Sequence, residues 1–250
     1  MKVAIITGPY HPLHNKLIEH LVKRSPRVEA YTFVQQLNHT QTDLKIWLEH
    51  QEEAVGFIIM PPHYCYSSPD RFGCLVPTID LEGIVGPVIK AASRNSAKVI
   101  LLSEAPARLH DAFRKLRVYD SDYGNNLHIM ENAVREYEKG IVLCLPFLST
   151  DPWILSEEVT KRDKPLVACE PDYLFSLADA DEVAVIVGEC LESGWFGLHQ
   201  LGGSNQLLRL SEMVGHKDAP TVTYNYSLPS KGIVPPLKKS ARDIWRELTK

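Results

Sequence analysis

Apolar and polar positions along the first 150 residues follow two alternating patterns. Lys2–Thr7 (KVAIIT) is a short β-branched run, typical of a strand buried on both faces. Residues 14–24 repeat their apolar side chains every three or four positions, which is typical of an amphipathic helix with Leu17 and Leu21 on its inner side. The two patterns then recur, and they predict strands over 28–34, 54–60, 98–103 and 140–146 and helices over 41–51, 79–95 and 121–138.

Neighbouring parallel strands need a crossover connection, which is usually a helix. The alternation therefore predicts an α/β fold, a Rossmann-type doubly wound parallel sheet, as a domain over residues 1–150. From residue 151 the pattern changes: prolines stand beside acidic residues, and helices are predicted near 180–192 and 204–215 with short strands between them. We expect residues 151–250 to form mainly a small C-terminal substrate-binding lobe that can return strands to the sheet, and to end in a solvated helix.

Composition narrows the class of protein. The chain has 250 residues, 44% of them hydrophobic, and a net charge of -4, which is typical of a soluble globular protein. The mild acidity argues against nucleic acid as a partner, and no apolar run reaches the roughly 20 residues that cross a bilayer. Five cysteines without a CxxC pair favour a reducing compartment. We therefore expect a cytoplasmic protein that binds neither nucleic acid nor a membrane.

Candidate chemistry lies at the carboxyl ends of the strands, where doubly wound sheets bind their ligands. Four loops meet this condition: 8–14, 61–76, 104–121 and 147–153. Three further stretches carry specific motifs: Val99–Ser103 (VILLS), residues 123–137 (YGNNLHIMENAVREY) and residues 172–203, which end in GLHQLGG. Together with Thr7-Gly8, they resemble the cofactor turn, the active-site Ser/Thr strand, the YGxxKxxxExxV helix and the GxYHLGG segment of extended short-chain dehydrogenase/reductases. The similarity is to the dTDP-4-dehydrorhamnose reductase-like and NAD-dependent epimerase-like members.

The resemblance implies an NAD(P)-dependent reductase or epimerase acting on a nucleotide-linked sugar. It implies a cofactor site at Thr7, Gly8, Tyr10 and His11, and catalytic residues at Tyr123 and at Ser103 or Glu104. From its place in the loop after a strand, and not from the resemblance, we also expect His63 to assist at the same edge. It also implies a homodimer through two long helices, residues 79–95 and 121–138.

The sequence departs from the family pattern at the positions that carry function. The family turn TGxxGxxG reads TGPYHPLH here, so His11 and His14 replace the second and third glycines, which admit the pyrophosphate and pack helix on strand. Leu127 replaces the lysine four residues after Tyr123. A free tyrosine titrates near 10, so without that lysine it is a poor base at neutral pH. The cofactor site is therefore predicted to be degenerate.

Three hypotheses follow. The first is a diverged member that binds a small polar, sugar-like ligand without ordinary NAD(P) redox chemistry and without a cofactor, acting as a non-redox enzyme or binding subunit through Tyr123 with Glu104 or Ser103. The alternatives are an NAD(P)H-dependent sugar-nucleotide reductase or epimerase with an unusual cofactor loop, and a pseudoenzyme that regulates a partner protein.

Two rival motifs are weaker. GPYHPLHNKL resembles the nucleotidylyltransferase loop at His14, but Lys16 and Leu17 replace its Gly-His pair. His11, His14 and His20 suggest a metal site, since the His-x2-His spacing of the first two is one that metal sites use, but no regularly spaced carboxylate accompanies them. We expect no metal.

Overall fold

The structure of this chain is a computed structural model. The structure describes residues 1–8, 11–25, 27–34, 41–61, 82–104, 121–150, 174–201, 207–209 and 237–249. Side chains are described within these ranges except at 41, 82, 104, 121–125, 174–176 and 207–209.

Strands and helices alternate as the sequence predicts, and most bounds agree within three residues. The strands are β1 (Lys2–Thr7), β2 (Glu29–Val34), β3 (Ala54–Met60), β4 (Lys98–Glu104), β5 (Gly140–Leu145), β6 (Phe147–Leu148), β7 (Leu174–Ala178), β8 (Gly197–Gln200) and β9 (Leu207–Arg209). The helices are α1 (His14–Arg24), α2 (Gln41–Glu49), α3 (Glu82–Asn95), α4 (Ser121–Glu136), α5 (Ala180–Glu192) and α6 (Ala241–Leu248).

Six parallel strands form the central sheet in the order β2-β1-β3-β4-β5-β8. Alternate residues of β1 face opposite sides: Ala4 and Ile6 join the core beneath α2, α3 and α4, whereas Val3 and Ile5 join the core beneath α1 and α5. Both faces are covered, which explains why the strands read as continuous apolar runs. The predicted Rossmann-type α/β fold is confirmed.

A second, smaller sheet departs from the sequence-based prediction. It has the order β6-β7-β9, with β6 parallel and β9 antiparallel to β7. The helix predicted near 204–215 is therefore wrong at Leu207–Arg209, which form a strand. The periodicity of a short apolar run such as Leu207-Leu208 does not distinguish a strand from a helix. Here the segment is a strand because its backbone pairs with Leu174–Ser176. Strand β8 returns to the central sheet.

The C-terminal helix α6 packs on the molecule through Ala241, Ile244 and Trp245. The segment before it is held by the Glu182 carboxylate, which accepts hydrogen bonds from the backbone N–H groups of Lys238 (3.0 Å) and Lys239 (3.2 Å). In the described part of the chain, no helix is long and apolar enough to cross a membrane.

Candidate functional site at the carboxyl edge of the sheet

The turn after β1 begins with a tightly held Thr7-Gly8 pair. Thr7 is 2% exposed, and its hydroxyl donates to the Gly8 carbonyl at 2.9 Å. The Gly8 N–H donates to the Met60 carbonyl at 3.1 Å, which extends the pairing of β1 with β3 by one residue. Of the four predicted cofactor residues, Thr7 and Gly8 therefore lie at the central carboxyl edge, whereas Tyr10 lies outside the described residues.

His11 replaces the second family glycine by folding onto the turn. Its Nδ1 accepts a hydrogen bond from the Leu13 N–H at 3.2 Å, and its carbonyl accepts one from the His14 N–H at 3.0 Å. The ring is 8% exposed. Since Nδ1 is an acceptor here, a neutral ring carries its proton on Nε2. The imidazole thus satisfies a backbone donor at the start of α1, a role that sequence reasoning missed.

His14 replaces the third family glycine and fills the space between α1 and β2. Its Nε2 lies 3.3 Å from the Thr32 hydroxyl. Burial lowers the pKa of His14, partly opposed by a hydrogen bond with Asn15. The neutral ring is therefore favoured at this helix–strand contact, where a glycine would allow closer packing.

The N-terminus of α1 is left open, in contrast to those of α5 and α6. Asp179 caps α5 by accepting from the N–H groups of Asp181 and Glu182, and Ser240 caps α6. Leu13 at the N-cap of α1 makes no side-chain cap, and the first turn of α1 holds no acidic residue. The His14 N–H is bound to the His11 carbonyl, so the N–H groups of Asn15 and Lys16 and the positive end of the helix dipole are what this edge offers an anion.

Two contacts bring other segments to the same turn. The Thr150 hydroxyl, just after β6, donates to the Pro12 carbonyl at 2.9 Å. Lys16 forms an ion pair with Asp181 at 3.0 Å, which joins the first turns of α1 and α5. The edge is therefore built from the β1 turn, the end of the β6 segment and two helix N-termini.

Ser103, one of two residues at the predicted catalytic Ser/Thr position, is enclosed between β4 and α4. It is 0% exposed, and its hydroxyl donates to the carboxylate of Glu131, which is itself 2% exposed. The Cys144 thiol lies 3.9 Å from the same carboxylate, and His128 Nδ1 lies 3.6 Å from its other oxygen. Glu131 stands at the acidic position of the YGxxKxxxExxV pattern, but sequence reasoning assigned it no role.

Leu127, which stands at the family lysine position, is 0% exposed. It belongs to the core with Met130 and Val134 of the same helix. The side chain at this position of α4 therefore packs against the sheet.

Two of the remaining predicted residues, Glu104 and Tyr123, are placed only by their backbone. Glu104 is the last residue of β4 and pairs with Leu145, and Tyr123 is the third residue of α4. His63 lies outside the described residues. Among the residues that the structure describes, no group of three or more His, Cys, Asp or Glu side chains could hold a metal ion.

No protein-family model and no curated protein matches this sequence. Solved structures do share its fold. The dTDP-4-dehydrorhamnose reductase of Bacillus anthracis, solved with NADP, has a TM-score of 0.64 at 11% identity over 98% of this chain and 97% of that chain. The dTDP-4-dehydrorhamnose reductase of Yersinia enterocolitica has a TM-score of 0.62 at 12% identity over 99% of both chains. The UDP-N-acetylglucosamine 4-epimerase of Bacillus cereus has 0.61 at 13% identity over 100% and 95%. These likenesses confirm, for the fold, the resemblance seen in the sequence.

Proposed function

We propose that this chain, which has the fold of the sugar-nucleotide reductases and epimerases, binds a nicotinamide dinucleotide at the open N-terminus of α1. We propose a nucleotide-linked sugar as its substrate, with reduction or epimerisation as its reaction. One observation carries the proposal: α1 starts directly beyond the carboxyl end of β1 with neither a side-chain cap nor an acidic residue in its first turn. The Bacillus anthracis reductase of the same fold was solved with NADP.

The residues of this turn fit the phosphates of a dinucleotide. The His11 ring lies back on the backbone and binds the Leu13 N–H. The N–H groups of Asn15 and Lys16 follow in the first turn, where backbone donors and the helix dipole favour an anion. The Lys16 ammonium is already paired with the Asp181 carboxylate at 3.0 Å, so the backbone donors rather than this charge carry the proposal. A turn with one glycine can hold a pyrophosphate in this way, because helix donors require room rather than glycine itself.

The proposed division of roles follows from these contacts. The bound dinucleotide supplies the hydride chemistry. Thr7 and Gly8 hold the turn against β3, His11 fixes the start of α1, and Tyr123 stands in the first turn of α4 as the proposed proton-transferring group.

A second candidate function rests on the part of the site formed by β4 and α4. Leu127 lies in the core and the Ser103 hydroxyl is bound to Glu131, so neither is offered to a nicotinamide ring. This favours a protein that binds a small polar, sugar-like ligand without redox chemistry, either as an enzyme using Tyr123 and Glu104 with His63 or as a regulatory subunit of a partner protein.

The test is a titration with NADH and NADPH, followed by nucleotide fluorescence and thermal shift. Ligand at one hundred times its dissociation constant stabilises a protein by about 2.7 kcal/mol, which is readily measured. Asn15→Asp places a carboxylate in the first turn of α1, so we expect it to weaken dinucleotide binding while the helix dipole stabilises the fold. Asn132→Asp makes the same change on the exposed face of α4 and serves as the control.

Saturable binding that Asn15→Asp weakens and Asn132→Asp leaves intact supports the dinucleotide site. Absence of binding by the wild type to either nucleotide excludes it and leaves the second candidate, for which titration with a nucleotide-linked sugar alone is the next test.

A further inference from the structure

A groove of about 420 Å³ lies between α2 and α3, on the face of the sheet opposite α1. The residues that matter for its chemistry are Lys45, Leu48 and Glu49 of α2 and Gly86, Lys90 and Arg94 of α3. Nothing in the dinucleotide proposal uses this groove, which is separated from the α1 turn by the central sheet.

Positive charge converges on the groove from both helices. Lys45, Lys90 and Arg94 are exposed, and Glu49 is the one carboxylate among the described lining residues, so the lining carries a net charge of about +2 at neutral pH. Within the described part of the chain, none of the three cations has an ion-pair partner. Among the described lining residues, Glu49 offsets only one of the three positive charges.

Local helix energetics account for only part of this arrangement. Lys90 and Arg94 are four residues apart on α3, a spacing at which like charges destabilise a helix by about 0.2–0.5 kcal/mol. Arg94 lies in the last turn, where the helix dipole favours a cation. Lys45 lies in the middle of α2, four residues before Glu49, a spacing at which opposite charges stabilise a helix by about 0.2–0.5 kcal/mol, and both residues line the same groove.

The groove also offers space above an apolar floor. Leu48 is 3% exposed and closes the bottom toward the core. A Cβ placed on Gly86 would meet no heavy atom within 4 Å, so the α3 wall is open there. The volume falls within the roughly 300–1,000 Å³ of small-molecule sites.

We propose that this groove is a second anion site that binds a diphosphate group, either free or as part of a nucleotide. A diphosphate carries enough negative charge to offset the surplus of two. The Arg94 guanidinium can bind two phosphate oxygens at once, and lysine ammonium groups bind phosphate as point charges. Binding would remove the like-charge repulsion between Lys90 and Arg94.

The test is calorimetric titration of the full chain with inorganic diphosphate at low ionic strength, in the absence of nucleotide and again with saturating NADPH. Lys90→Gln combined with Arg94→Gln should weaken diphosphate binding at least about tenfold, which corresponds to 1.4 kcal/mol. The control variant, Arg27→Gln combined with Arg135→Gln, removes two positive charges from exposed positions outside the groove. It should change the affinity for diphosphate less than about twofold.

The proposal is overturned if the two double variants weaken binding equally, or if the wild type binds no diphosphate at about 1 mM. It is also overturned if the groove variant changes the oligomeric state in sedimentation but not diphosphate binding, because the groove would then be an interface between copies. Binding that persists with NADPH present, or in a protein that binds no NADPH, supports the groove independently of the α1 site. An ADP titration then shows whether a nucleotide improves on diphosphate alone.

Discussion

Leu127→Lys introduces the lysine that the short-chain dehydrogenase/reductase pattern has at this position, and the structure predicts that it damages the fold. Leu127 is 0% exposed beside Met130 and Val134. An ammonium group there loses its hydration, which lowers the folded-state pKa of a buried lysine by up to about 3–5 units. Each unit corresponds to 1.36 kcal/mol, so a shift of about three units costs about 4 kcal/mol at pH 7. The whole free energy of unfolding of a typical domain is only about 5–15 kcal/mol.

The sign of the pH dependence follows from the lowered pKa. Above the unfolded-state pKa of about 10.4 both states are uncharged and the ionisation penalty is absent. As the pH falls below that value the unfolded state takes up the proton first, so Leu127→Lys loses stability down to its folded-state pKa. Wild type has no such group at this position and should not show this additional loss.

The assay is urea denaturation followed by tryptophan fluorescence at pH 7 and pH 10, on wild type, Leu127→Lys and Leu127→Met. The Met variant conserves volume and should lose less than about 1.5 kcal/mol at both pH values. A Leu127→Lys protein within about 1 kcal/mol of wild type at pH 7, with no added pH dependence, would refute the reasoning. It would place residue 127 in a hydrated cleft, where the family lysine could act.

Three further predictions concern packing and charge. Burial would raise the Asp179 pKa, but hydrogen bonds from Lys239 and the α5 backbone outweigh burial and hold that pKa low. The stabilisation from ionised Asp179 is therefore present at neutral pH and is lost as the pH falls through the folded-state pKa. The stability difference between wild type and Asp179→Asn, measured from urea midpoints at pH 6 and pH 3, should accordingly be smaller at pH 3. Ser103→Ala leaves the buried Glu131 carboxylate without its hydroxyl donor and should cost about 1–3 kcal/mol by the same assay, whereas an unchanged midpoint would contradict the buried hydrogen bond. Gly140→Ala drives its Cβ into a backbone carbonyl at the end of α4 and should cost about 3 kcal/mol, and full retention of the melting temperature would show that this turn is looser than described.

The sequence predicted the fold well because the buried strands and amphipathic helices have clear periodicity. Lys2–Thr7, Ala54–Met60 and Ala180–Glu192 agree with their predicted bounds. It failed at Leu207–Arg209, where a three-residue strand exists only through pairing with β7. Periodicity within the chain carries no information about such a partner.

The site was less predictable because its key contacts join residues distant in sequence. Thr7, Gly8 and Ser103 were identified by position, yet the burial of Ser103 depends on Glu131 from another element. The effect of His11 also could not be read from its size, since its Nδ1 finds a backbone donor two residues away. Tyr123, Glu104, Tyr10 and His63 stay predictions.

The central claim, a dinucleotide at the open N-terminus of α1, is tested most directly by NMR of the ¹⁵N-labelled protein titrated with NADPH and NADH. The account predicts that the backbone amide signals of Asn15 and Lys16 shift in a saturable manner with at least one of the two nucleotides. Binding that leaves these two amides unmoved, or no binding by either nucleotide, would contradict it.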